Sequence, residues 1–116
     1  MKVLIAGSRS ITDFDLTQYI PEKTELIISG GALGVDTLAE QYADKHKISK
    51  LIIRPDYKRY GKGAPLIRNK AMVDLADLVI IVWDGKSRGT MQTATYAKKT
   101  QKELIMINTI EKTESL

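Results

Sequence analysis

Apolar residues fall in five short runs, at residues 3–6, 26–29, 51–53, 78–83 and 104–107, all rich in branched side chains. The runs are continuous rather than alternating, the pattern of strands buried on both faces of a parallel sheet. Between them the spacing changes to that of helices. Leu38, Ala39, Tyr42 and Ala43 form one apolar face, Ile67, Ala71 and Leu75 with Met72 a second, and Met91, Ala94, Thr95 and Lys98 a weaker third. A short helix is also expected over residues 12–20, where Thr12 and Asp15, three apart, resemble a loose capping box. Strands alternating with helices predict right-handed βαβ units. The expected fold is therefore α/β: a single doubly wound, mainly parallel five-stranded sheet, Rossmann-like, with helices on both faces. It would span residues 1–108, followed by a polar, frayed tail over 109–116.

In such a sheet the ligand crevice lies beyond the carboxyl ends of the strands, where the strand order reverses. Three turns rich in glycine and hydroxyls follow three of the expected strands. Gly7-Ser8-Arg9-Ser10 follows the first, Gly30-Gly31-Ala32-Leu33-Gly34-Val35-Asp36 the second, and Asp84-Gly85-Lys86-Ser87-Arg88-Gly89-Thr90 the fourth. Glycine lets the backbone approach a ligand, and free N–H groups at a helix start favour an anion. Ser8, Ser10, Ser87 and Thr90 add neutral donors, and Arg9 and Arg88 add charge. Any one such turn is commonly just a capped βα connection; three on one edge describe a phosphate cradle.

Two familiar phosphate motifs are not met. The first turn has Gly7 alone where G-x-G-x-x-G would be needed, and the second, Ser29-Gly30-Gly31-Ala32-Leu33-Gly34, is one glycine short. Gly85-Lys86-Ser87 has the ending of a Walker A loop, but the motif's first glycine would fall on Ile80, inside a strand. Neither hydride transfer nor P-loop ATP hydrolysis is supported.

Composition narrows the classes further. At 116 residues the chain is one domain, and 43% hydrophobic with 28% charged residues is ordinary for a folded soluble protein. With no cysteine and a single histidine, His46, thiolate chemistry, a multi-histidine metal centre and a Ser-His-Asp triad all drop out. No metal and no cofactor are expected. Apolar runs well short of the ~20 residues needed to cross a bilayer, and a first segment without signal-peptide layout, lead to a cytoplasmic protein with no membrane partner. The net charge of +4 admits anionic ligands. With seven aromatics, the chain is not expected to carry the basic groove and stacking rings of a nucleic-acid binder.

Single polar residues divide by position. Asp36 is either a first-turn dipole partner or a group that binds a sugar hydroxyl or activates water. Asp84 ends an apolar strand at the expected crevice. Asp77 starts that strand at the far edge and reads as a turn residue. Trp83 belongs to core or pocket wall, His46 to a solvated helix end, and Lys98, Lys99 and Lys102 to a charged helix face. Arg68 and Asn69 follow a glycine loop, residues 60–65, where a solvated arginine is the ordinary expectation.

Taken in order, Gly7-Ser8-Arg9, Ser29-Gly30-Gly31-Ala32 with Gly34 and Asp36, Asp56-Tyr57, Tyr60-Gly61-Lys62, Arg68-Asn69 with Met72, Trp83-Asp84-Gly85 and Ser87-Arg88-Gly89-Thr90 resemble the YspA (cpYpsA-related) branch of the SLOG superfamily. That superfamily also holds the Lonely Guy (LOG) phosphoribohydrolases and the DNA-processing protein DprA. The likeness runs from Met1 to about Ile107, with Tyr57 standing where many members have tryptophan. It implies a nucleotide-binding Rossmann-like fold, a homodimer, and a nucleotide or nucleotide-derived small molecule as partner. Arg68, Met72 and Asp77 match an arginine, methionine and aspartate of LOG enzymes in spacing, and Gly89-Thr90 matches their G-T. The LOG glutamate falls on Thr93, which cannot supply the carboxylate that N-glycosidic cleavage uses.

The resulting expectation is a sensor or ligand-processing module binding a nucleotide through Gly7, Ser8, Arg9, Gly30, Gly31, Gly34, Asp36, Asn69, Asp84, Gly85, Ser87, Arg88, Gly89 and Thr90. A LOG-like nucleoside 5′-monophosphate N-glycosidase, with Arg68, Asp36 and Asp84 as catalytic residues, is the first alternative. DprA-like single-stranded DNA binding is the second.

Overall fold

Which side of the sheet each apolar residue faces decides the layers. In the computed structural model, which describes residues 1–109, five parallel strands are hydrogen-bonded in the order β3-β2-β1-β4-β5. They are β1 (Lys2–Gly7), β2 (Leu26–Ser29), β3 (Ser49–Ile52), β4 (Leu78–Trp83) and β5 (Glu103–Asn108). Val3, Ile5, Ile27, Ile80 and Val82 point to one face and pack with Val35, Ala39 and Ala43 of α1 (Val35–Lys45). Leu4, Ala6, Ile28, Val79 and Ile81 point to the other. There they meet Met72 and Val73 of α3 (Ala64–Leu75), and Ala94 and Ala97 of α4 (Arg88–Lys99). The unbroken apolar runs are thus the mark of strands with a core on each side. Only the edge strand β3 is largely exposed.

The architecture is the α/β fold expected, and its strand order reverses between β1 and β4. Serine and aspartate fasten the two strands at either end of their pairing. At the amino end, the Lys2 N–H donates to Asp77 Oδ2 and the Asp77 N–H to the Lys2 carbonyl, each at 2.8 Å. At the carboxyl end, the Asp84 N–H donates to the buried Ser8 hydroxyl at 3.0 Å.

Several local expectations fail, each for an identifiable reason. No helix forms over residues 12–20, so the β1–β2 crossover is irregular, with turns only near residues 17–20. The Asp15 side chain takes the Thr17 N–H at 2.9 Å, an Asx contact that competes with helical pairing. Leu16 and Ile20, four apart, nevertheless bury in the core. The glycine loop over residues 60–65 is instead a short helix α2 (Tyr57–Tyr60), capped by Asp56, followed by one 3-10 turn, Gly61–Gly63, that leads into α3.

On α3 the face predicted to be buried is outside except for Met72: Ile67 is 41% and Leu75 44% exposed, and Ala71 is exposed too. The helix carries apolar residues on two faces, and the one turned inward is Met72, Val73 and Ala76, which lets Arg68 reach the sheet edge. On α4 the buried face is Thr90, Thr93, Ala94 and Ala97, so Thr95 and Lys98 are solvated. Lys102 is not merely part of a charged face; its ammonium donates to the Asp74 and Ala76 carbonyls, closing the end of α3. His46 is exposed as expected and stacks on Tyr42 at 4.1 Å between ring centres. The expected tail lies, beyond Thr109, outside the described residues. No helix among the described residues is long and apolar enough to cross a membrane.

The core on the α1 face should respond to volume loss in the usual way. Ile80 is fully buried in β4, an interior strand of the sheet. Ile80→Ala is expected to cost about 2–5 kcal/mol in urea unfolding, with the slope of the transition unchanged.

Candidate functional site

The turns after β1, β2 and β4 meet at the carboxyl edge of the sheet, over the β1–β4 reversal. They enclose a cavity of about 410 Å³, lined among others by Gly7, Arg9, Asp36, Arg68, Asn69, Asp84, Ser87, Gly89, Thr90 and Thr93. A neighbouring cavity of about 330 Å³ shares Arg9, Ala32, Pro65 and Arg68 with it, and adds Gly30, Gly31, Arg54, Pro55 and Tyr57. Four of the fourteen residues expected to bind ligand line neither. Ser8 is buried as the β1–β4 tie, and Gly34 is buried beneath the β1 turn. Gly85 and Arg88 also lie outside both linings.

Arg68 is the residue that structure changes most. Far from a solvated arginine, it is half-buried, and its Nη1 donates to the Gly30 carbonyl at 2.7 Å and the Ile53 carbonyl at 3.2 Å. Its Nε donates to Asn69 Oδ1 at 2.8 Å. Burial draws its proton affinity below the ordinary arginine value, with Asp36 opposing. It keeps its charge, since guanidinium does not deprotonate in proteins. Gly30 is glycine because of this neighbour: a Cβ there would lie 2.7 Å from Arg68 Nη1 and 2.9 Å from Asp36 Oδ2. Gly34 combines a φ of +77° with a backbone pressed against Ser8 and Arg9, so no side chain fits.

The two aspartates differ sharply. Asp36 is 6% exposed, in the first turn of α1, and accepts the Ala32 N–H at 3.1 Å. Burial pushes its carboxyl above the usual range, against the pull of the Ala32 N–H and Arg68. Asp84 is held well below that range by hydrogen bonds from Ser10, Ser87 and Lys86. Its Oδ1 accepts the Lys86 and Ser87 N–H groups at 2.8 and 2.9 Å, and its Oδ2 the Ser10 hydroxyl at 2.7 Å. These bonds shape the β4–α4 turn and join it to the β1 turn.

The start of α4 is capped by Ser87, whose hydroxyl lies 2.9 Å from that of Thr90 and accepts its N–H at 3.4 Å. Trp83 steadies the same turn, its indole N–H donating to the Ser87 carbonyl at 2.9 Å. Thr93 lines the cavity, and its hydroxyl donates to the Gly89 carbonyl at 2.9 Å. Arg54 and Pro55 were missed by the reading of single residues; the signal available was their place directly after the third strand. No cluster of three or more His, Cys, Asp or Glu with metal-binding geometry occurs among the described residues.

Asp84 should matter for stability. Asp84→Ala is expected to lower the unfolding free energy at pH 7 by about 0.5–1.5 kcal/mol, because three donors lose their acceptor while water can reach them at this exposed turn. A carboxylate whose folded proton affinity is depressed stabilises above its unfolded pKa of about 3.9 and loses that effect as pH falls. The gap between wild type and Asp84→Ala should therefore close as pH drops below ~4, read from urea melts at several pH values.

Comparison with curated proteins gives no match. Among solved structures, DNA processing protein A from Helicobacter pylori, described for its single-stranded DNA binding mode, is similar with a TM-score of 0.72 and 28% identity. That alignment covers 91% of this chain and 64% of the other, so this chain spans less than two thirds of its neighbour. The same strand-and-turn arrangement that builds the site is matched at the sequence level over residues 1–60, through the β1 and β2 turns and α1. On that match, the chain belongs to the YspA, cpYpsA-related SLOG family.

Proposed function

We propose that the protein binds a nucleotide or nucleotide derivative at the carboxyl edge of its sheet, as a sensor or ligand-processing module. The observation that carries this is a single cavity lined both by the half-buried Arg68 guanidinium and by the Ser87–Thr90 start of α4. A fixed cation and a helix N-terminus together favour a phosphate. Asp36 and Asn69 stand in the same cavity as partners for sugar or base hydrogen-bonding groups.

Asp36 also favours the enzymatic alternative, cleavage of a nucleoside monophosphate at its N-glycosidic bond. A carboxyl raised by burial holds a proton at higher pH and can give it to a departing base, while Arg68 beside it positions the phosphate. Asp84 is unsuited to that role because its hydrogen bonds keep it ionised. Thr93, at the LOG glutamate position, contributes a hydroxyl already directed to a main-chain carbonyl.

Single-stranded DNA binding has more support than the count of aromatics suggested. The segment Tyr57-Lys58-Arg59-Tyr60-Gly61-Lys62 is a basic–aromatic run, and its rings are 58% and 41% exposed. The solved neighbour is described for binding single-stranded DNA. Both observations oppose the expectation that nucleic acid is not a partner.

The decisive experiment incubates the protein with AMP, ADP-ribose and NAD, scoring thermal shift and released base together. The expected result is stabilisation by at least one nucleotide, lost in Arg68→Ala. Released base that stops in Asp36→Asn, with the shift retained, makes the protein an N-glycosidase. Failure of every nucleotide to shift the transition sinks the nucleotide reading. Binding of an oligodeoxythymidine that falls steeply with salt, weakens in Tyr57→Ala and ignores Arg68→Ala puts DNA in its place.

A further inference from the structure

The smaller cavity holds more positive charge than its surroundings balance. Arg9, Arg54 and Arg68 all line it. Among the described residues the ion pairs are Met1–Glu25 and Lys50–Asp44, so none of the three arginines has a carboxylate at ion-pair distance. Arg54 Nη1 donates to the Gly31 carbonyl at 3.0 Å, and Arg68 Nη1 to the adjacent Gly30 carbonyl. Neutral carbonyls orient two guanidinium groups toward the same loop without neutralising them. Asp36 acts on Arg68 from the larger cavity, and neither Arg9 nor Arg54 has a carboxylate at ion-pair distance.

An aromatic face completes this lobe. Tyr57 lines it and is 58% exposed, placed by the Asp56 cap that starts α2. The wall between the two lobes is Arg68 itself, together with Arg9, Ala32 and Pro65, which line both. Each lobe, at about 410 and 330 Å³, sits near the lower end of the ~300–1,000 Å³ range of small-molecule pockets.

We propose that the ligand is a diphosphate-bridged nucleotide lying across Arg68, with its distal phosphate among Arg9 and Arg54 and a distal ring stacked on Tyr57. This deepens the nucleotide reading above and rests on it. The lining of the smaller cavity holds three arginines and no carboxylate, so a diphosphate supplies the negative charge it lacks, and arginine–phosphate pairing is strong and directional. The distal ring finds a π face at the rim, where stacking is tolerant of ring identity.

The test is calorimetric titration of the full chain with AMP and with the symmetrical diphosphate-bridged diadenosine dinucleotide. The dinucleotide is expected to bind at least about tenfold tighter, the lower end of what one stacked ring and one arginine–phosphate contact supply. Tyr57→Ala and Arg54→Ala should each remove most of that margin while leaving AMP affinity within about twofold, and Tyr57→Phe should keep it. Tyr57 is surface-exposed, so its variants test the lobe even if Arg54→Ala disturbs the Gly31 loop. Equal affinity for the two ligands, or equal loss of both in Tyr57→Ala, overturns the proposal while the nucleotide reading stands. No binding of either ligand overturns both.

Discussion

A charged guanidinium placed against the main-chain carbonyls of Gly30 and Ile53 governs much of this molecule. Burying it forces a set of neighbours to conform. Position 30 must lack a side chain, Asn69 must turn its amide oxygen toward Nε, and α3 must rotate until Arg68 points over the ends of β2 and β3. That rotation explains why Ile67, Ala71 and Leu75 face outward despite their helical spacing. It also gives the edge of the sheet a permanent cation, shared by two cavities, around which any anionic ligand must arrange itself. Removal of one partner of such a contact leaves the others desolvated, so the arrangement is maintained collectively rather than bond by bond.

The strands were legible because being buried on two faces leaves a strong trace: no polar residue interrupts residues 3–6 or 78–83. The edge where the turns converge on a cavity followed from chain direction alone, since all strands are parallel and their exits share one side. Helical faces were harder. On α3 and α4, apolar and small residues occupy more than one face, and which face turns inward depends on tertiary contacts of Arg68, Thr90 and Thr93 that no local pattern encodes. The absent first helix shows the opposite failure. Asp15 satisfies a local N–H with its side chain, and Leu16 and Ile20 reach the core without helical continuation.

Chemical character was less legible than position. Asp36 and Asp84 looked interchangeable as residues following strands at the crevice. Their environments separate them: one is buried, and burial outweighs the Ala32 N–H it accepts, while the other is surrounded by donors from two turns. A carboxyl that burial favours in its protonated form and a structural staple can thus share a residue type, and only solvation and hydrogen bonding tell them apart. Arg68 was masked for the same reason, because nothing in its sequence neighbourhood announces burial.

The strand order has a kinetic consequence. β1 lies between β2 and β4, yet Asp77, which anchors the start of β4, is 75 positions from Lys2. The two strands that flank the cavity therefore meet only after a long loop has closed, and loop-closure entropy opposes that step until the pairing is made. During synthesis the β1–β2–β3 half emerges first, with one side of β1 unpaired and Leu4 and Ile28 lacking the α3 and α4 residues that later cover them. The cleft is thus assembled late, and the exposed edge of β1 is the stretch of backbone most open to wrong partners until β4 arrives.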